Sequence, residues 1–173
     1  SMLGRDEQIY KDEIAVERGI KDVLESKSNI AFLFASSQNI DRLVSAYKAC
    51  RKTDTTFVID LYTAYILHRL GANTKSLPQF NWPNVRVKFF KFHADKIAEA
   101  WQEKLLYLFN KQKIEMEEID QTKEKVLMIL RDNSLFPRVV GHIHPIKGAQ
   151  IIYSMWDGYL TDKFQGYCRE KGI

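Results

Sequence analysis

The sequence lacks the features of a membrane or secreted protein. No apolar run approaches the roughly 18–20 residues that a membrane helix needs, and no charged segment followed by an apolar signal opens the chain. Only two cysteines are present, Cys50 and Cys168, and they form no CxxC pair. Reduced thiols are therefore expected rather than a disulfide or a metal site. Together these absences predict a soluble, cytoplasmic protein.

Glycine is scarce, and its few occurrences do not form a nucleotide-binding loop. The 8 glycines make no GxGxxG and no GxxxxGK[ST] pattern, so the phosphate cradle of a dinucleotide or P-loop site is missing. Ser36 and Ser37 have no GxSxG elbow and no histidine nearby in the sequence, which disfavours nucleophilic catalysis. The sequence thus predicts no catalytic residue.

The composition is that of one globular domain. A chain of 173 residues with 45% hydrophobic and 12% aromatic residues can bury a substantial core. The formal charge is +4 and the pI is near 9.0. This mild excess permits a polyanionic partner without requiring one, and an ordinary basic surface is the favoured explanation.

The stretch Asn29–Val44 sets the pattern for the rest of the chain. Its run Ile30–Ala35 is short and continuously apolar, which is typical of a strand buried on both faces in a parallel sheet. The polar turn Ser36–Asn39 follows, and apolar residues then recur at helical spacing. In open α/β sheets, ligands bind beyond the carboxyl ends of such strands.

The same alternation of strands and helices continues along the chain. Strands are predicted at 30–35, 56–61, 85–91, 126–131 and 149–154, with 85–91 near an edge of the sheet. Helices are predicted at 6–26, from Ile40 to about Lys52, from an N-cap at Thr63 to Gly71, at 94–112, and from about Tyr159 to Lys171. We interpret 115–124 as a polar segment that returns the chain to the sheet, and 136–148 as a turn-rich connector with at most a short helix. This order predicts a three-layer, Rossmann-like α/β domain with a mostly parallel sheet of about five strands.

Polar and aromatic residues at the predicted strand ends form the candidate binding site: Ser36, Ser37, Gln38, Asn39, Asp60, Arg131, Asn133, Ser134 and Trp156. The turns could contact a nucleic-acid backbone, and Trp156 and Tyr159 could stack on a base. The alternatives are that Asp60 and the turns only cap helices and that the aromatic rings only pack.

His142 and His144 are the other candidate ligands, because an HxH pair can begin a metal site. No third ligand follows them at a recognisable spacing, so the sequence favours histidines of a loop or core over a metal site.

Four segments together resemble the strand-and-turn signatures of the β-CASP domain. They are Phe34–Leu43, Phe57–Thr63, Val126–Ser134 and Ile151–Leu160, and their order and spacing carry the resemblance. It covers essentially the whole chain from Met2-Leu-Gly-Arg5; Ser1 and Met2 are consistent with residues left by cloning. β-CASP domains are insertions in nucleic-acid-processing metallo-β-lactamase enzymes such as RNase J and the pre-mRNA 3′-end endonuclease.

The resemblance implies that residues 1–173 form one β-CASP-like domain whose metallo-β-lactamase domain lies elsewhere in a parent chain. The zinc ions, the HxHxDH motif and the catalytic acid and histidines would belong to that parent. Residues 1–173 would then hold no metal and no catalytic residue, and would help to position single-stranded RNA, or DNA. Two motifs differ from many relatives: Asp132–Ser134 stands for a Ser-Gly-Met-like turn, and Ser36-Ser37 for Gly-Arg.

The alternative to this function is a free-standing Rossmann-like module that binds a small ligand or a protein without catalysis. An HxHxDH segment upstream in the full gene product would distinguish the two.

Overall fold

The five strands run parallel in one sheet. The structure, a computed structural model, describes residues 12–100, 103–131 and 133–173. The strands are Ala31–Ala35 (β1), Thr56–Asp60 (β2), Val85–Lys88 (β3), Val126–Leu130 (β4) and Gln150–Ser154 (β5). Their order across the sheet is β3-β2-β4-β1-β5. The predicted five-stranded parallel sheet is confirmed, and its largest boundary difference is at β3, which ends at Lys88 rather than at 91.

Side-chain burial follows the position of each strand. Every residue of β1 and β4, two of the three inner strands, is buried, as their unbroken apolar runs require. The predicted edge position of β3 is confirmed. Val85 and Val87 point into the core, whereas Arg86 remains partly exposed and pairs with Glu118 at 2.8 Å.

Helices cover both faces of the sheet. They are Glu13–Ser26 (α1), Ile40–Lys52 (α2), Leu61–Gly71 (α3), Lys91–Glu99 (α4), Glu103–Asn110 (α5), Met116–Gln121 (α6), Phe136–Val140 (α7) and Asp162–Lys171 (α8). Buried residues of α1, α2, α3 and α5 share a core with one face. Those of α6, α7 and α8 share a core with the other. The result is the predicted three-layer arrangement.

The second core is built around aromatic rings. Phe136 of α7 is fully buried, and its ring centroid lies 5.1 Å from that of Phe32 and 5.5 Å from that of Phe34 in edge-on geometry. The short helix predicted within 136–148 is confirmed by α7. This packing fixes the segment that follows β4 against the sheet.

Three details of the predicted helices are wrong. The single helix 94–112 is replaced by α4 and α5, because Ala100 leaves the helical conformation at ψ 13°. Thr63 does not cap α3, since the helix already begins at Leu61 and Asp60 caps it. The polar return at 115–124 contains α6, whose Met116 and Ile119 are buried.

Some predictions fall outside the described residues. They concern Met2–Arg5, positions 6–11 of the first predicted helix, Trp101 and Asp132. Cys50 and Cys168 are both buried and unpaired, and burial raises the pKa of the Cys50 thiol. Over the three described ranges, no helix combines the length and apolar character needed to cross a membrane.

Candidate functional site

The carboxyl ends of the strands meet at one edge of the sheet, and the chain leaves this edge toward both faces. From β1 and β2 it enters α2 and α3, which pack on one face. From β4, which lies between those two strands, it enters α7 on the other face. Such a reversal opens a crevice between neighbouring strands, and ligands of open α/β sheets bind there.

A cavity of about 740 Å³ lies at the β2 and β4 ends; we call it the edge cavity. One part of its wall comes from the end of β2, the start of α3 and α4: Asp60, Tyr62, Phe92, His93 and Lys96. The part that follows β4 contains Arg131, Asn133 and Leu135. The segment after β5 completes the wall with Met155, Gly158, Tyr159 and Thr161.

Asp60 is the most deeply placed carboxylate of this wall, with 3% of its surface exposed. Its Oδ1 accepts a hydrogen bond from the Thr63 backbone N–H at 2.6 Å, which caps α3. Its Oδ2 accepts a hydrogen bond from Arg131 Nε at 2.8 Å. Both oxygens are therefore engaged, and the negative charge is balanced inside the protein. Asp60 therefore caps a helix, as one of its two predicted roles required, and it also forms an ion pair with Arg131.

Arg131 is held by three contacts. Besides the bond from Nε to Asp60, its Nη2 lies 2.5 Å from His93 Nε2. Its guanidinium carbon lies 4.3 Å from the centroid of the Tyr62 ring. Among the described residues, no hydrogen bond uses Nη1. The guanidinium is therefore preorganised, and one nitrogen remains for a ligand.

His93 is the buried base of this group. Because a guanidinium has no acceptor, His93 Nε2 must accept the hydrogen bond, and the ring proton lies on Nδ1. Burial lowers the pKa of His93, the nearby Asp60 charge acts against that shift, and the Arg131 and Lys96 charges reinforce it. Nδ1 is buried without a hydrogen-bond partner among the described residues. His93 is therefore neutral near pH 7 and orients Arg131.

The turn after β1 lies at the same edge but does not line the edge cavity. Asn39 Oδ1 accepts a hydrogen bond from the Arg42 backbone N–H at 3.2 Å and caps α2. Ser36 Oγ accepts one from the Gln38 backbone N–H at 3.2 Å. Ser37 is buried, whereas Ser36 and Gln38 are exposed. Two residues of this turn thus stabilise it, and Gln38 presents its side chain to solvent.

The ends of β4 and β5 approach each other through Asn133, whose Nδ2 donates to the Tyr159 carbonyl at 3.0 Å. Ser134 is exposed beside it. Trp156 is 59% exposed, and its ring contacts that of Tyr159 edge-on at a centroid distance of 5.2 Å. Trp156 is therefore not packed in the core, and a ligand can reach its ring.

The predicted site residues thus fall into two groups. Asp60, Arg131 and Asn133 line the edge cavity, whereas Ser36–Asn39, Ser134 and Trp156 do not. Sequence reasoning missed His93 and Lys96, which contribute to the same wall. Both lie within α4 rather than in the turn directly after β3, so the rule that found the other residues did not extend to them.

A metal site is not evident in this arrangement. Within the described part of the chain, no three His, Cys, Asp or Glu side chains lie close enough together to hold an ion. His142 and His144 are exposed in the connector after α7. The His144 backbone N–H donates to Asp120 Oδ1 at 2.8 Å, which anchors this loop to α6.

Comparisons of the chain with family models, with characterised proteins and with solved structures found no match.

Proposed function

We propose that the chain is a β-CASP-like domain that positions single-stranded RNA, or DNA, along the carboxyl edge of its sheet. The observation that supports this role best is the meeting of cations and exposed aromatic rings at that edge. Lys96 and Arg131 line the edge cavity beside Tyr159, and Trp156 stands next to Tyr159.

This combination suits a flexible strand of nucleic acid. Cations attract the phosphates of any sequence, and exposed aromatic rings stack on any base. The charges in the cavity wall favour an anion, because the Asp60 carboxylate is already paired with Arg131 while Lys96 is exposed. The formal charge of +4 for the whole chain acts in the same direction.

In the proposed parent protein, this edge forms one wall of a groove whose other wall is a metallo-β-lactamase domain of the same chain. That domain would hold zinc, which activates water against a phosphodiester. The residues of the carboxyl edge would bind the strand and set its position. We place this activity in the cytoplasm, where the buried thiols of Cys50 and Cys168 would stay reduced.

A titration of fluorescently labelled single-stranded RNA tests the proposal. We expect weak binding that weakens strongly as salt rises from about 50 to about 200 mM, because phosphate contacts dominate it. Arg131→Ala and Trp156→Ala should each weaken binding, the latter by about 1–3 kcal/mol if one base stacks on the ring. Duplex RNA should bind less well, because its bases are not free to stack.

Two matched control variants remove an arginine and an exposed aromatic ring that lie away from the edge cavity. Arg69→Ala removes an exposed arginine from the last turn of α3, at the far end of the sheet. Tyr107→Ala removes an aromatic ring that is 78% exposed. Both controls should bind RNA as the wild type does. Unchanged affinity in both Arg131→Ala and Trp156→Ala, with their circular dichroism spectra intact, would place the RNA surface elsewhere.

A further inference from the structure

We propose that the edge cavity holds one nucleoside monophosphate unit, with its phosphate at Lys96 and Arg131 and its base against Tyr159 and Phe92. This inference deepens the proposed function and rests on it for the claim that the unit belongs to an RNA strand. A volume of about 740 Å³ falls within the range of about 300–1,000 Å³ that is usual for small-ligand pockets.

The part of the edge cavity that would hold the phosphate is identified by its positively charged side chains. Arg131 is held by Asp60, His93 and Tyr62, so ordering it for a ligand costs little further side-chain entropy. Because Asp60 balances Arg131, the exposed ammonium of Lys96 gives the wall its net positive charge. These two cations suit a phosphate better than a neutral group.

Helix N-termini strengthen the same preference. Phe92 and His93, in the first turn of α4, line the cavity. The N-cap of α4 is Phe90, which makes no side-chain capping bond. In contrast, Asp60 caps α3 and Thr161 caps α8. The His93 N–H already donates to the Phe90 carbonyl at 3.0 Å. Among the described residues the Phe92 N–H has no acceptor, and an anion can satisfy it.

The base end is identified by exposed rings around one polar side chain. Phe92 is 43% exposed and Tyr159 is 55% exposed. Both line the cavity, so a ligand in the cavity can contact both rings. Asn133 donates from Nδ2 to the Tyr159 carbonyl, and within the described ranges its Oδ1 accepts no hydrogen bond. An amide oxygen beside aromatic rings can accept a hydrogen bond from a base edge.

Isothermal titration calorimetry with AMP, UMP, adenosine and inorganic phosphate tests this assignment. At least one monophosphate should bind about tenfold more tightly than adenosine or phosphate alone, since only it fills both ends. Lys96→Ala should weaken monophosphate binding about tenfold and leave adenosine binding unchanged. Tyr159→Ala should weaken both. Lys104→Ala and Tyr107→Ala, which change exposed side chains outside the cavity wall, are the matched controls and should change neither.

Competition with the labelled RNA separates this inference from the proposed function. Displacement of RNA by a monophosphate would support both. RNA binding that no monophosphate displaces would overturn the nucleotide pocket and leave the RNA function in place. Lys96-dependent monophosphate binding without RNA binding would support the pocket and reject the RNA function. Phosphate binding as tight as monophosphate binding, or insensitivity to both Lys96→Ala and Tyr159→Ala, would overturn the pocket.

Discussion

Replacing Asp60 by alanine removes two interactions from the centre of the candidate site. The first is the cap on α3, a hydrogen bond of 2.6 Å from the Thr63 backbone N–H. Loss of a capping side chain costs about 0.5–2 kcal/mol. The second is the bond of 2.8 Å from Arg131 Nε, and hydrogen bonds to charged groups contribute about 1.5–3 kcal/mol. Because 26% of the Arg131 side chain is exposed, solvent offsets part of that loss, and we expect a total of about 2–4 kcal/mol.

The asparagine variant separates the two interactions. Asparagine caps helices as well as aspartate does, so Asp60→Asn should keep the bond to Thr63. The asparagine amide nitrogen would then face Arg131 Nε–H. Because both groups are hydrogen-bond donors, this hydrogen bond and the ion pair would be lost. We expect Asp60→Asn to cost less than Asp60→Ala, with a difference of about 1 kcal/mol from the cap.

Urea unfolding followed by far-UV circular dichroism measures these changes in the free energy of unfolding. A double-mutant cycle with Arg131→Met isolates the coupling between the two side chains. We expect a coupling above about 0.5 kcal/mol, since the residues are in direct contact. If Asp60→Asn is as stable as the wild type and the coupling is near zero, the ion pair does not stabilise this edge and the reasoning fails.

Two further predictions concern the core and the buried histidine. Phe136→Ala should lower the free energy of unfolding by about 3–5 kcal/mol, because it empties a fully buried ring site beside Phe32; a cost under about 1 kcal/mol in urea unfolding would contradict the described packing. Burial lowers the pKa of His93 in the folded state, whereas the unfolded chain titrates near its ordinary value of about 6.5. The unfolded state therefore takes up the proton first, and this contribution to stability is lost as the pH falls below about 6.5. His93→Gln should accordingly lose less stability than the wild type between about pH 7 and 5, and parallel stability curves would refute a buried neutral imidazole.

The strands and most helices could be predicted because their signals are local. The unbroken apolar runs at β1 and β4 require burial on both faces. The alternation at Val85–Lys88 predicted one exposed face, and this is only partly right, because Arg86 is partly exposed whereas Lys88 is buried. The prediction of a single helix at 94–112 was wrong because it relied on the same kind of local periodicity. Ile97, Leu105 and Leu108 keep helical spacing across a position where the chain divides into α4 and α5, so the periodicity conceals the break.

The candidate site was predictable only in part. Polar residues after apolar strands were found correctly at the carboxyl edge, since that position follows from a parallel sheet alone. His93 was missed, because a single histidine after an edge strand carries no motif. Its function in the site depends on contact with Arg131, which lies 38 positions away in the chain.

By itself, the sequence determined a series of strand–turn–helix units and therefore a layered α/β domain with polar turns at one edge. Only the tertiary structure decided which turns meet. The order β3-β2-β4-β1-β5 places β4 beside β2, and so brings Arg131 against Asp60, 71 positions earlier. The physical reason is that apolar periodicity reports how deeply each segment is buried. Which strand becomes its neighbour depends instead on the packing of the complete sheet between its two helical layers.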